Sequence, residues 1–78
     1  MPIERFIWTT HAERMRRRRL PNRLELEREI KRGHPDRRAN HGEAEWLVSG
    51  LLIDGRYFVA VYDHPHGSDH AAVRIVSV

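Results

Sequence analysis

The spacing of apolar residues changes once along this chain, and that change limits the folds open to it. Before Glu45, hydrophobic positions recur at helical intervals between capping residues; from Glu45 on they recur every second residue. Residues 45–53, E-W-L-V-S-G-L-L-I, run into Asp54-Gly55, the strongest short hairpin signal, and residues 56–63, R-Y-F-V-A-V-Y-D, supply the partner strand. A loop, H-P-H-G-S-D-H, then leads to A-A-V-R-I-V-S-V. Three β-rich runs joined by turns predict an antiparallel meander. Gly50 inside the first run predicts a bulge or the close approach of another backbone.

Two helices are expected ahead of the meander. Thr9 or Thr10 can cap the first, and Glu13, three residues after Thr10, fits a capping box. Good helix formers continue to Leu20, where the following Pro21 disfavours helical backbone and Pro21-Asn22 turns the chain. Asn22 caps the second helix, over about residues 22–32, with Glu25 at its third position. Lys31 and Arg32 suit its last turn, and Gly33 is placed for a left-handed cap. Ala12, Met15 and the stem of Arg19 share one face of the first helix. Leu26 and Ile30 form the stripe of the second, with Leu24 near its entry; the charged residues from Glu25 to Lys31 are expected at the solvated surface. Residues 3–8 form either a short strand or an extended lead, with Ile7 or Trp8 stapled onto the first helix. Residues 34–42, H-P-D-R-R-A-N-H-G, lack periodicity and read as a mobile connection with His34 and His41 in solvent. The expected product is one α+β domain over residues 1–78: two N-terminal helices on a three-stranded antiparallel sheet, four-stranded if residues 3–8 join it.

Seventy-eight residues are near the lower limit for a self-sufficient core. No cysteine is present, which excludes disulfides, thiolate metal sites and thiol nucleophiles. The opening residues hold no apolar core long enough for a signal peptide, and nothing approaches a membrane span, so the cytoplasm is the expected location without a membrane partner. The net charge of +3 conceals an asymmetry: residues 1–38 carry twelve Lys/Arg against six Asp/Glu, residues 39–78 two against five. A basic half beside an acidic half suggests an anionic partner on one side, most commonly nucleic acid.

The sharpest chemistry lies in residues 9–20, T-T-H-A-E-R-M-R-R-R-R-L. His11, Arg14 and Arg18 fall at i, i+3 and i+7, within about 60° of one another on the helix. Guanidinium forks bind phosphate oxygens bidentately, and an imidazole exchanges protons near neutral pH. The same pattern also fits a solvated basic face, with His11 packing beside Trp8 or satisfying a helix end. Arg16 and Arg17 extend the basic face, and Arg37-Arg38 either adds to it or keeps a loop soluble. His64, His66 and His70, near Asp63 and Asp69, have spacing that could ligate zinc. A polar loop is the preferred reading there, since it fixes no geometry and no second cluster supplies a fourth ligand. Gly-rich phosphate loops, G-x-S-x-G, H-E-x-x-H and paired carboxylates are all absent, so any catalysis is expected to use His, Arg and Tyr without metal or cofactor.

Over residues 6–33 the chain resembles a small bacterial and archaeal domain family of unknown function marked by Thr-x-His-Ala-x-x-Arg-Met. Thr9, His11, Ala12, Arg14, Met15, Arg18, Ile30 and Gly33 carry the resemblance. The chain departs from the pattern at Arg19-Leu20-Pro21, where a glycine and a threonine or serine cap are usual, and the second helix is displaced by one residue. That family is grouped by fold with RelE-like and BrnT-like toxin ribonucleases. The resemblance therefore implies a metal-independent ribonuclease, the toxin of a toxin–antitoxin pair. His11 would be base or acid, Arg14 and Arg18 would hold the scissile phosphate, and Arg74 would close the clamp. Tyr57, Tyr62 or His64 would be the second proton donor or a base-stacking surface. The competing expectation is a non-catalytic module binding RNA, DNA or protein. An antitoxin or a second copy could dock on the sheet edge or face under either reading.

Overall fold

The computed structural model describes residues 3–20 and 22–78; Pro21, expected to turn the chain, lies outside the described residues. In chain order the elements are β1 (Arg5–Trp8), α1 (Thr10–Arg19), α2 (Arg23–Gly33), a 3-10 turn (His34–Asp36), β2 (Arg38–Ala39), β3 (Trp46–Leu51), β4 (Tyr57–Asp63) and β5 (Ala72–Ser77). The two helices and the β3–β4–β5 meander are as expected, but the sheet has five strands in the order β1-β5-β4-β3-β2. It is mixed rather than antiparallel, because β1 lies parallel to β5 with Phe6 opposite Val73 and Trp8 opposite Ile75. Four residues give too short an alternation to declare a strand alone; β5 defines it by pairing. Likewise, β2 arises inside the segment expected to be an irregular connection, where Arg38 and Ala39 pair with Leu47 and Trp46.

Alternation in these strands sets one apolar face inward. Val48, Phe58, Ala60, Tyr62, Val73 and Ile75 are buried there beneath Ala12 of α1 and Leu26 and Ile30 of α2. Phe6, Trp8, Met15 and Trp46 pack at the margin of that core. The opposite face, including Ile7, Leu51, Tyr57, Val59 and Arg74, has no helix packed over it among the described residues, and Leu51 and Tyr57 are about two-thirds exposed. Leu26 and Ile30 are the buried stripe of α2, and Leu24, at its entry, is exposed.

Local chemistry departs from expectation at three places. Glu25 is buried, not solvated: Asn22 caps its amide at 3.1 Å, while its carboxylate accepts the Ile53 amide of the hairpin turn at 2.7 Å. A carboxylate so placed ties α2 to the β3–β4 turn. Gly33 is not a left-handed cap; its φ is −84° and the chain continues helically into the 3-10 turn. A Cβ at Gly33 would stand 2.6 Å from Val48 Cγ1, so the missing side chain lets α2 close onto β3. Gly50 likewise makes room, but for the Phe58 ring across the ladder rather than for backbone. The register shift of the sheet lies elsewhere, at Val61/Tyr62 against β5. Gly55, at φ +87°, supplies the left-handed residue of the predicted hairpin.

Gly33→Ala separates two opposing effects. Helix propensity alone favours alanine by up to about 1 kcal/mol, whereas overpacking against Val48 costs about 1–3 kcal/mol. Urea denaturation should show net destabilisation, relieved in the Gly33→Ala/Val48→Ala double variant; a stabilised single variant would contradict the close approach.

Candidate nucleic-acid interface

The cap of α1 is Thr9, whose hydroxyl accepts the Ala12 amide at 3.1 Å. Glu13 makes no capping box. Its carboxylate binds Arg16 and stands 3.7 Å from Arg17, and the Arg16 hydrogen bond holds it below the ordinary glutamate range. Arg16 also rests against the Trp8 ring, 5.9 Å from its centroid. Trp8 in turn donates its indole N–H to Glu27 of α2 at 2.8 Å. Trp8, Glu13 and Arg16 thus form one locked unit joining β1, α1 and α2.

Beside this unit the surface dips into a groove of about 510 Å³ lined by Trp8, Thr10, Glu13, Arg14, Arg17 and Arg18. Ala12 of α1 is fully buried and Glu13, Met15 and Arg16 are half-buried, whereas Thr10, His11, Arg14 and Arg17 to Arg19 are exposed. Arg14 and Arg18 are exposed and, among the described residues, neither is paired with a carboxylate. Their charge is therefore uncommitted, in contrast to that of Arg16. His11 is exposed one turn ahead of Arg14 but does not line the groove.

The other expected site residues are dispersed. Val73 and Ile75 point into the core under the helices, so Arg74 between them projects from the opposite face, 3.4 Å from Asp63. It does not reach α1. Tyr57 stands on the same outer face. Arg38 is exposed on β2, whereas Arg37 is half-buried with its guanidinium 4.2 Å from the Trp46 ring centroid. Tyr62 is fully buried and presents no stacking surface.

Tyr62 instead belongs to a second cluster built on the central strand β4, which sequence reasoning missed. His34 Nδ1 lies 2.6 Å from the Tyr62 hydroxyl, and the His34 and His64 rings meet edge-on at 4.6 Å. Arg37 donates to the His34 carbonyl at 3.1 Å, and Trp46 to the His64 carbonyl at 3.3 Å. Burial pushes the Tyr62 phenol up to about 12. Burial, then the charges of Arg37 and His64, push His34 down to about 4. Neutral His34 and the Tyr62 hydroxyl share one hydrogen bond, its direction set by the His34 tautomer. His34 was expected in solvent; the only available signal was that Gly33, if helical, carries the next residue back over the sheet.

The loop after β4 is tied down by an arginine–carboxylate pair and a histidine–carbonyl contact. Asp69 receives two hydrogen bonds from Arg5, at 2.6 and 2.8 Å, which hold its carboxyl down to about 2. His64 Nε2 faces the His70 carbonyl at 2.9 Å. Among the described residues, no three His, Asp or Glu side chains converge on a point where a metal ion could be held. No helix among them is long and apolar enough to cross a membrane. Comparison with family models, with curated proteins and with solved structures finds no match to this chain.

His34 gives a pH dependence of definite sign. Its folded pKa is depressed, so the unfolded chain binds more protons between about 4 and 6.5. Its contribution to stability is full above pH 6.5 and is lost as pH falls toward 4. Urea unfolding of wild type and His34→Gln, a variant that can still accept from Tyr62, should show a stability difference constant above pH 7 and shrinking between pH 6.5 and 4. A difference independent of pH would refute the assignment.

Proposed function

We propose that this protein acts on RNA, gripping the phosphodiester backbone along the exposed face of α1. The observation that carries the reading is the pair Arg14 and Arg18: exposed, one helical turn apart, beside a groove, and without a carboxylate partner among the described residues. Arg17, with its side chain 74% exposed, lengthens the same track. Uncommitted guanidiniums on a rigid helix suit phosphate oxygens because binding need not first break an internal ion pair.

His11 gives this surface a proton carrier one turn from the first arginine. Cleavage without metal needs a base for the 2′-hydroxyl, cations for the charged phosphorane and an acid for the leaving 5′-oxygen. His11 with Arg14 and Arg18 supplies the first two, which matches the metal-independent ribonuclease implied by the resemblance to the family grouped with RelE-like and BrnT-like toxins. A second reading, RNA binding without cleavage, is favoured by one observation: none of Arg74, Tyr57, Tyr62 and His64 lines the groove beside Arg14 and Arg18.

Incubation with mixed-sequence RNA in EDTA, with binding measured in parallel across salt concentrations, separates these readings. A ribonuclease should cleave, and His11→Gln should lower turnover roughly 10²-fold while leaving affinity unchanged. Arg14→Ala and Arg18→Ala should each weaken binding and reduce the slope of log affinity against log salt by about 0.7. Binding with the same slope changes but no cleavage establishes the module reading; absence of salt-dependent binding removes both.

A further inference from the structure

The groove along α1 holds more than cations. Its lining on the helix is one stripe, Thr10, Glu13, Arg14, Arg17 and Arg18, at spacings of three and four, and Trp8 borders it from β1. Its volume of about 510 Å³ is in the range of small-ligand sites. Two of these residues do nothing for a phosphate: Trp8 offers an aromatic surface, and the Glu13 carboxylate repels it.

Glu13 keeps its charge, because the Arg16 hydrogen bond holds its carboxyl below the ordinary glutamate range. Arg16 and Arg17 both address Oε1, and among the described residues nothing donates to Oε2. The groove therefore contains an open carboxylate oxygen among arginines that attract an anion. That oxygen can be satisfied only by an N–H or O–H that the anion itself carries. Trp8 is half-buried, with its indole N–H given to Glu27 at 2.8 Å and Arg16 standing 5.9 Å from the ring centroid. What it presents to the groove is ring surface without a free donor, held in place. Such a surface takes another ring by stacking and cannot choose among rings by hydrogen bonding.

Phosphate on Arg14 and Arg18, a flat ring on Trp8 and a donor for Glu13 together describe one nucleotide with its base turned into the groove. The strand must be single there, since a paired base has neither a free face nor a free edge. The Watson–Crick edges then differ. Guanine presents two adjacent donors, N1–H and N2–H. The donors of adenine and cytosine stand beside an acceptor nitrogen, and that of uracil between two carbonyls, all of which repel a carboxylate. We infer that, on the RNA reading of this face, the groove is a base subsite for an unpaired guanine. Trp8 is its stacking platform, and Glu13 selects the base.

The test titrates the intact protein with 2′-O-methyl pentanucleotides, which lack the hydroxyl that cleavage needs. A uridine pentamer with one central guanosine should bind roughly tenfold more tightly than those with adenosine, cytidine or uridine there, the scale of one hydrogen bond to a charged group. Glu13→Gln keeps the shape and removes the charge. It should bring the four affinities together by strengthening the three weaker complexes, a gain that misfolding cannot produce. Tryptophan emission should be quenched on binding, and the quench should be lost in Trp8→Phe, which retains a ring and should still bind. Equal affinity for the four pentamers, or preference for another base, with Arg14→Ala still weakening all of them, overturns the guanine subsite and leaves the phosphate grip standing. A preference that persists in Glu13→Gln, or a quench that persists in Trp8→Phe, also overturns it. No binding by any pentamer removes the subsite and the RNA reading together.

Discussion

The parallel pairing of β1 with β5 determines where everything chemical in this protein stands. It joins residues 5–8 to residues 72–75, the most distant strands in sequence, and α1 begins directly where it ends. Thr9 donates its amide to the Ile75 carbonyl at 3.1 Å and caps α1 with its hydroxyl. One residue therefore ends a strand, starts a helix and fixes the angle between them. A parallel neighbour needs a long crossover, and α1 and α2 are part of that crossover, which is why they cover one face of the sheet and leave the other bare.

What could be read from the sequence was local. The caps at Thr9 and Asn22, the Asp54-Gly55 turn and the period-two runs each need only a few residues to be recognised, and each is present. What could not be read was long-range. β1 and β2 carry four and two residues, and only their neighbours make them strands. Gly33 shows the same division: a glycine after Lys-Arg has the pattern of a left-handed cap, but its use is set by Val48, fifteen positions on in another element.

The candidate site divides along the same line. His11, Arg14 and Arg18 were placed together by helical spacing; the helix is present, but of the three only Arg14 and Arg18 line the groove. Arg74 and the tyrosines were attached by residue type, with no knowledge of which side of the sheet they would face. Alternation then put Arg74 outside, Tyr62 inside against His34 and Tyr57 outside. Arg37 was lost to the surface in a different way: a guanidinium placed over the Trp46 ring and bonded to the His34 carbonyl is held in structure rather than offered to a ligand.

Two grooves use different residues of one short helix, and that makes them electrically dependent. Arg14, Arg17 and Arg18 line the groove beside Trp8, while Met15 and Arg19 line a second groove with Tyr57 and Phe58 of β4. From Arg14 to Arg19 the axial rise is about 7.5 Å, within a Debye length of about 8 Å at physiological salt. An anion bound at Arg19 would therefore lower the potential felt by an anion at Arg18, and the reverse would hold equally. The protein's excess of positive charge in its first half, compressed onto one helix, is what ties the two surfaces together.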